Sequence, residues 1–339
     1  MTAAWQEQAS LKALNTFGID VAARYLVRAS SDDGIRQALA AAAQRDLPVL
    51  VLGGGSNLLL TRDVDALVLQ IASRGRRVLG DVDQRVVVEA EAGEPWHPFV
   101  LWSIAQGLCG LENLSLIPGT VGAAPMQNIG AYGVEIKDVF AGLSALDRQT
   151  GEVREFSLEE CAFAYRDSVF KASPGRWLIL RVRFALSRTL DPHLDYGPVR
   201  QRLLERGIQQ PTAQAISDAI CSIRREKLPD PAVLGNAGSF FKNPVVSAEC
   251  AERLRVAYPG LVAYPQGPAE VKLAAGWLIE QAGWKGYREG DAGVHQQQAL
   301  VLVNHGHATG AQLHALARKI QADIRARFGV ELEMEPNLY

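Results

Sequence analysis

The sequence predicts an α/β protein of two domains, on three observations. Near the N-terminus a helix, a buried strand, a glycine turn and further strands follow one another. A second glycine-rich segment, Leu114 to Gly133, is largely apolar yet has neither helical nor strand periodicity. Beyond Asp195 to Thr212, helical stretches alternate with short strands. A chain of 339 residues has room for two or three domains of roughly 100–200 residues each. The expected division is residues 1–200, in halves of about 1–72 and 73–200, and residues 212–339.

Each element has its own local reason. Ser30, Ser31 and Asp32 offer N-cap groups ahead of a helix over Ile35–Ala42. Leu47–Leu52 reads as a buried strand running into the glycine turn Gly53-Gly54-Gly55-Ser56-Asn57. Ala66–Ile71 and Arg85–Ala90 read as further strands. Pro95 to Gly107 reads as a helix with proline in its first turn and glycine at its C-terminal cap. Strands are expected at Leu143–Asp147 and Trp177–Leu186, and a helix over Thr212–Glu226 stopped by Pro229 and Pro231. Ala269–Ala282 and Thr309–Phe328 read as helices and Ala299–Asn304 as a strand. Val330–Glu335 alternates strictly between apolar and acidic residues, the signature of a half-buried strand.

Composition narrows the function classes. Hydrophobic residues make up 48% of the chain and charged ones 21%, ordinary values for a protein with a large core. A net charge of -2 gives no basic field, which argues against nucleic acid or an anionic membrane as partner. Met1–Ser10 has no basic and apolar regions of a secretory leader, and no apolar stretch reaches the roughly 18–20 residues of a membrane span. Cys109, Cys161, Cys221 and Cys250 are scattered, with no CxxC pair. His97, His193, His295, His305, His307 and His314 show no metal-ligand spacing. A cytoplasmic monomer without a metal is expected.

A strand followed by GGGSN invites a dinucleotide reading, because glycines let backbone N–H groups approach a pyrophosphate. The Rossmann pattern needs GxGxxG opening a helix, whereas Leu58-Leu59-Leu60 here heads back into a strand. A plain β-turn is the alternative for this segment alone. Two such loops in one α/β domain suit a long cofactor lying extended between them, with Asn57, Thr120, Gln127 and Asn128 as side-chain donors and acceptors.

Five stretches, in order and spanning nearly the whole chain, resemble one known family. They are Asn15-Thr16-Phe17-Gly18, Gly53–Asn57, IPGTVGAAPMQNIGAYG at Ile117–Gly133, Tyr165-Arg166-Asp167-Ser168, and GNAGSFFKNP at Gly235–Pro244. The sequence is similar to the MurB family, the UDP-N-acetylenolpyruvoylglucosamine reductases of peptidoglycan precursor synthesis. The resemblance implies an FAD-binding domain of the vanillyl-alcohol-oxidase (PCMH) type plus a C-terminal α+β substrate-binding domain, non-covalent FAD, NADPH as reductant and a UDP-sugar as substrate. It places the cofactor on Gly53, Gly54, Gly55, Ser56 and Asn57, and on Ser115, Ile117, Pro118, Gly119, Thr120, Gly122, Ala123, Gln127, Asn128, Gly130 and Tyr132. Leu261–Pro265 and the strand end Asp195-Tyr196-Gly197 resemble the family's longer form, in which a tyrosine-bearing loop closes over substrate.

The same resemblance assigns chemistry. Hydride added to C3 of an enolpyruvyl ether leaves charge spread from C2 onto the carboxylate, and a fixed cation stabilises it. Arg166 matches the family's catalytic arginine, and a guanidinium can hold a carboxylate in a fork. Ser239 matches the serine that gives a proton to C2, with Lys227 or Lys242 as supporting donors. Glu335 matches the C-terminal glutamate that shares or relays a proton, with Glu333 as its rival. Tyr196, Lys227, Asn243, Tyr264 and Gln298 match nucleotide-sugar contacts, and Arg224 with Lys227 forms a small basic cluster that could meet a substrate diphosphate. Each has an ordinary alternative: a surface arginine paired with Asp167, a turn serine, a solvent-facing glutamate, a charged helix end. Where many relatives continue with an arginine-bearing strand, Pro336-Asn337-Leu338-Tyr339 follows here, and Pro336 cannot donate to a ladder. An FAD-dependent oxidase of the same fold and a non-enzymatic nucleotide-sugar-binding protein are the competing readings.

Overall fold

Alternation of side chains along the strands sets the sheets. In Trp177–Leu186, Leu178, Leu180, Val182, Phe184 and Leu186 are buried while Arg181 and Arg183 stand on the other side. That strand is central in a five-stranded antiparallel sheet ordered Val153–Phe156, Phe140–Asp147, Trp177–Leu186, Arg85–Glu91, Arg76–Val82. A second sheet is ordered Gln6–Ser10, Ala22–Ala29, Val64–Ile71, Val49–Leu52, its last pair parallel. The computed structural model describes residues 4–339. They divide into two compact units: one takes in 23–54 and 65–226 with the N-terminal stretch up to Ala9, the other 10–22, 55–64 and 227–339.

In the first unit, α1 (Asp32–Gln44) is capped by Ser31, whose hydroxyl accepts from the Gly34 amide, and packs Ile35, Ala38 and Ala42 against the second sheet. Helix α2 (Trp96–Ala105) begins after Pro95, which is its N-cap and not a first-turn residue. The segment 114–133 is not wholly irregular. Val121–Gln127 is a 3-10 helix and Gly130–Ala131 pairs with Val134–Glu135. A threefold period containing Pro125 matches neither the 3.6 nor the 2.0 template, so periodicity alone passes over it. Asp195–Gly197 is a bend leading from the short helix α3 (Val169–Ala172) and the Trp177–Leu186 strand into α4 (Val199–Glu205), not a strand end. Helix α5 (Ala213–Lys227) belongs, up to Glu226, to this unit, because Ile216, Ala219, Ile220 and Ile223 form one core with Leu194, Val199 and Leu203 of the α4 region.

In the second unit, Gly235–Asn236, Leu302–Asn304, Ala292–Val294 and Arg288–Glu289 form an antiparallel sheet. A smaller one orders Val245–Ser247, Glu270–Leu273, Ala263–Pro265, and α6 (Ala248–Ala257) follows its first strand. The expected helix over 269–282 is instead that middle strand followed by α7 (Ala275–Gln281), because Val271 and Leu273 alternate into the core. Helix α8 (Gly310–Phe328) starts on a Thr309–Gln312 capping box and ends on Gly329 at φ 67°. Over 330–335 the expected alternation survives in burial, with Val330 and Leu332 inside. It makes a single bridge, Phe241 to Met334, and no ladder. Past Pro336, Asn337–Leu338 pairs in parallel with Leu58–Leu59. The final residues therefore lie along the strand that leaves the glycine turn.

Among the described residues no helix is long and apolar enough to cross a membrane. The glycine turn itself is fixed by Gly55, whose φ is 65° and whose missing Cβ would collide with the Leu14 carbonyl. Gly55→Ala should destabilise the protein by about 3 kcal/mol or more, read as a lowered denaturant midpoint at unchanged slope.

Candidate active site

The two glycine loops meet backbone to backbone within the first unit. A Cβ on Gly53 would stand 2.8 Å from Thr120 Oγ1, and one on Gly54 3.0 Å from Gly119 Cα. Gly122 is likewise bare because a Cβ there would run into Ala92. The second loop is held from behind: the Trp96 amide donates to Gly119 O at 3.0 Å, Val121 to Glu94 O at 2.9 Å and Gly122 to Ala92 O at 2.8 Å. Gly54, Pro118 and Ala123 remain exposed, so the paired loops present a rim of bare peptide groups. This cradle fits the pyrophosphate of a dinucleotide cofactor, which backbone amides can bind without a side chain in the way.

Four residues of this neighbourhood that are not glycine have left-handed backbone: Leu116 (φ 60°), Asn128 (44°), Tyr132 (50°) and Arg166 (55°). Such conformations cost of order 1 kcal/mol each for ordinary residues and persist where the surroundings over-determine them. Arg166 sits at the tip of a tight turn closed by paired Ala164–Asp167 backbone bonds of 3.2 Å. Its guanidinium donates to Gly130 O at 3.0 Å and lies over the Tyr165 ring at 5.4 Å. The turn is anchored beneath. Asn128, fully buried, donates to Glu135 and to Ala164 O, and Ser168 Oγ donates to Met126 O at 2.7 Å.

Arg224 converges on the same place from α5. Its Nε donates to Leu116 O at 3.2 Å and its guanidinium bonds the Tyr132 hydroxyl. Burial pulls the Arg224 guanidinium below its usual pKa, and Arg166 adds to this, with Tyr132 acting the other way. Burial pushes the Tyr132 phenol up, so it stays protonated. A Cβ on Gly133 would lie 3.2 Å from Tyr196 Cβ, which places the exposed Tyr196 beside this hairpin. The first unit thus gathers Arg166, Arg224, Tyr132 and Tyr196 around Gly130–Gly133, a cationic locus suited to an anionic ligand.

The second unit gathers the other expected residues. Ser239 follows Gly238 (φ 70°) and precedes Phe240, whose carbonyl accepts from the Glu335 amide at 2.9 Å, so residues 239 and 335 lie on adjoining backbone segments. Asn57 Nδ2 reaches Glu335 O at 3.5 Å, and its own carbonyl accepts from the Asn337 amide at 3.1 Å, which ties the end of the glycine turn to this pair. Glu333, the rival to Glu335, is exposed and ion-paired with Lys242. Asn243 Oδ1 accepts from the Ala275 amide at 2.9 Å, and Gln298 lies against Gly276 of the same helix. Tyr264 is exposed and sits opposite Lys272 in the small sheet. Lys227 is exposed at the end of α5.

Two expected cofactor residues are spent inside the protein: Asn128 as above, and Ser115, whose buried hydroxyl bonds Ser217 Oγ at 2.7 Å. Sequence reasoning passed over His97, Ser217 and Cys221. His97 Nδ1 accepts the Leu116 amide at 3.0 Å, and its Nε2 lies 3.9 Å from Cys221 Sγ. The available signal was the polar stripe Ser217, Cys221, Arg224 at i, i+4 and i+7 on α5. Among the described residues no cluster of His, Cys, Asp and Glu could hold a metal ion.

Comparison with known proteins bears on both units. The family model described as FAD binding domain matches residues 23–157, and that described as UDP-N-acetylenolpyruvoylglucosamine reductase, C-terminal domain, matches 230–339. The chain is 78% identical to the UDP-N-acetylenolpyruvoylglucosamine reductase of Pseudomonas putida over 339 residues, all of both chains. It is 69% identical to that of Pseudomonas aeruginosa over 334 residues, 98% of both. The crystal structure of UDP-N-acetylenolpyruvylglucosamine reductase (MurB) from Thermus caldophilus shares the fold, with a TM-score of 0.69 at 24% identity over 100% of this chain and 99% of that one. On full-length identity and on its two matched domains, this chain belongs to the UDP-N-acetylenolpyruvoylglucosamine reductase (MurB) family.

Proposed function

We propose that the protein reduces UDP-N-acetylglucosamine enolpyruvate to UDP-N-acetylmuramate with NADPH, through bound FAD, in peptidoglycan precursor synthesis in the cytoplasm. The observation that carries the reading is the cradle of Gly53-Gly54 against Gly119-Thr120, with the left-handed Arg166 turn anchored on Met126, Asn128 and Gly130 of the same second loop. FAD held by the two loops would supply the hydride-transfer chemistry between NADPH and the enolpyruvyl double bond. The chain's own residues do the rest. Backbone N–H groups of the two loops hold the pyrophosphate, and Asn57, Thr120 and Gln127 flank it. Arg166 holds the substrate carboxylate and stabilises the charge that develops from C2 onto it. Ser239 gives its proton to C2. Glu335, on the segment adjoining Ser239, takes part in replacing that proton. Lys227 meets the diphosphate, and Tyr196, Asn243, Tyr264 and Gln298 line the nucleotide sugar. We further propose that residues 1–200 serve the flavin and 212–339 the substrate, that α5 nonetheless packs with the flavin side, and that the enzyme works as a monomer.

Arg166 carries a specific argument. A glycine would adopt φ 55° with less strain, so an arginine there is explained by what its guanidinium does. Two experiments test the reading. Anaerobic NADPH should bleach the flavin band of the purified protein, and the enolpyruvyl substrate should restore it; re-oxidation only by air would favour the oxidase alternative, and a colourless protein that binds the UDP-sugar the non-enzymatic one. Arg166→Gly should leave stability within about 1 kcal/mol of wild type. It should keep flavin bleaching by NADPH and slow transfer to substrate by about two to three orders of magnitude; a variant that transfers hydride at the wild-type rate would remove Arg166 from the chemistry.

A further inference from the structure

Leu116 is gripped at both of its peptide groups by side chains from outside its own loop. Its amide donates to His97 Nδ1 at 3.0 Å, and its carbonyl accepts from Arg224 Nε at 3.2 Å. Its φ of 60° is one that leucine adopts only under constraint. The residues on either side are Ser115, locked through its hydroxyl to Ser217, and Ile117, which opens the PGT segment. The grip comes mostly from one stripe of α5: Ser217 holds Ser115, Cys221 faces His97, and Arg224 holds Leu116 O and the Tyr132 hydroxyl. The opposite stripe of α5, with Ile216, Ala219, Ile220 and Ile223, is fixed in an apolar core. The helix is therefore a splint with a rigid back and a polar working face.

We propose that His97 and Arg224 are positioning residues that clamp Leu116 and so hold the second glycine loop in its cofactor-binding shape. This rests on the flavin reading above and assigns Arg224 to the loop, in place of the diphosphate contact that its basic cluster with Lys227 suggests. Because Nδ1 accepts a hydrogen bond, the neutral ring carries its proton on Nε2, toward Cys221. Protonation of Nδ1 turns that acceptor into a donor facing a donor and opens the clamp. His97 lines a cavity of about 580 Å³ with Asp218, Cys221, Arg225 and Glu226 of α5 and Arg206 beyond α4, and Arg224 of α5 is the remaining charged group acting on the ring. Burial first, then Arg225 and Arg224, hold the imidazole below its usual pKa. A lowered folded-state value means the clamp is intact at and above the ordinary imidazole pKa and is lost as pH falls through the lowered one.

The test is flavin release from the purified holoenzyme, followed by the rise in flavin fluorescence on dilution between about pH 5 and 8. Wild type should release FAD of order tenfold faster at the acid end than at the alkaline end. His97→Asn supplies an amide oxygen near the position of Nδ1 that does not titrate, and should release slowly with a flat profile. His97→Leu should release fast throughout, by of order tenfold over wild type at the alkaline end. Arg224→Met should do likewise, and the double variant should be little worse than either single one, because both act through Leu116. A wild-type pH profile retained in His97→Asn, or strictly additive effects of the two losses, would overturn the clamp even if His97→Leu folded poorly. A wild-type protein that never holds flavin would instead overturn the functional reading itself.

Discussion

The close approach of Gly53-Gly54 to Gly119-Thr120 is the constraint on which the rest of this architecture depends. Two loops can pass at 3 Å between a Cβ position and a backbone atom only if the side chains are absent. Bare peptide can then face a ligand on the free side. At the point of closest approach the glycines bring no side chain of their own, so the shape there is imposed by the surroundings, which include Leu114, Val121 and Ala124 in the core. The imposed shape is visible as left-handed backbone at Leu116, Asn128 and Tyr132, at about 1 kcal/mol each.

What imposes it is a ring of buried polar groups fixed in turn by apolar cores. Trp96, fully buried among Phe99 and Phe184, donates its indole N–H to Leu114 O and its amide to Gly119 O. Asn128 spends its side-chain amide on Glu135 and Ala164 and accepts from the Lys137 amide. Each bond adds only about 1 kcal/mol, but these bonds are buried or partly buried, and removing one partner strands the other at a larger cost. The Arg166 turn is built on the same anchors, through Ala164 and Ser168. Arg166 and the second glycine loop are thus set by one hydrogen-bond network, not by two independent ones.

Much of this was legible in the sequence, and the remainder has a physical reason. Elements with strong local signals, such as α1 behind its serine cap, α8 between its capping box and Gly329, and the alternating 177–186 strand, read correctly. The 3-10 helix in the second loop did not, because its period fits neither template. The 269–282 stretch was misread because Val271 and Leu273 alternate for only four residues before a true helix begins. In the site, the glycine loops and Arg166 stand out as motifs. His97, Ser217 and Cys221 do not, because the groups they meet in the second loop and across from it are remote in sequence. The end of the chain shows the same limit. Pro336 signalled a break in the strand, but only the pairing of Asn337–Leu338 with Leu58–Leu59 reveals that the break turns the chain onto the exit of the glycine turn.

The most direct measurement is a crystal structure of the holoenzyme with FAD. The account predicts that the pyrophosphate oxygens lie within hydrogen-bond distance, about 2.7–3.2 Å, of backbone amides in both Gly53–Asn57 and Gly119–Ala123, with Leu116 still held by His97 and Arg224. A pyrophosphate bound elsewhere, with those amides turned to solvent, would contradict it.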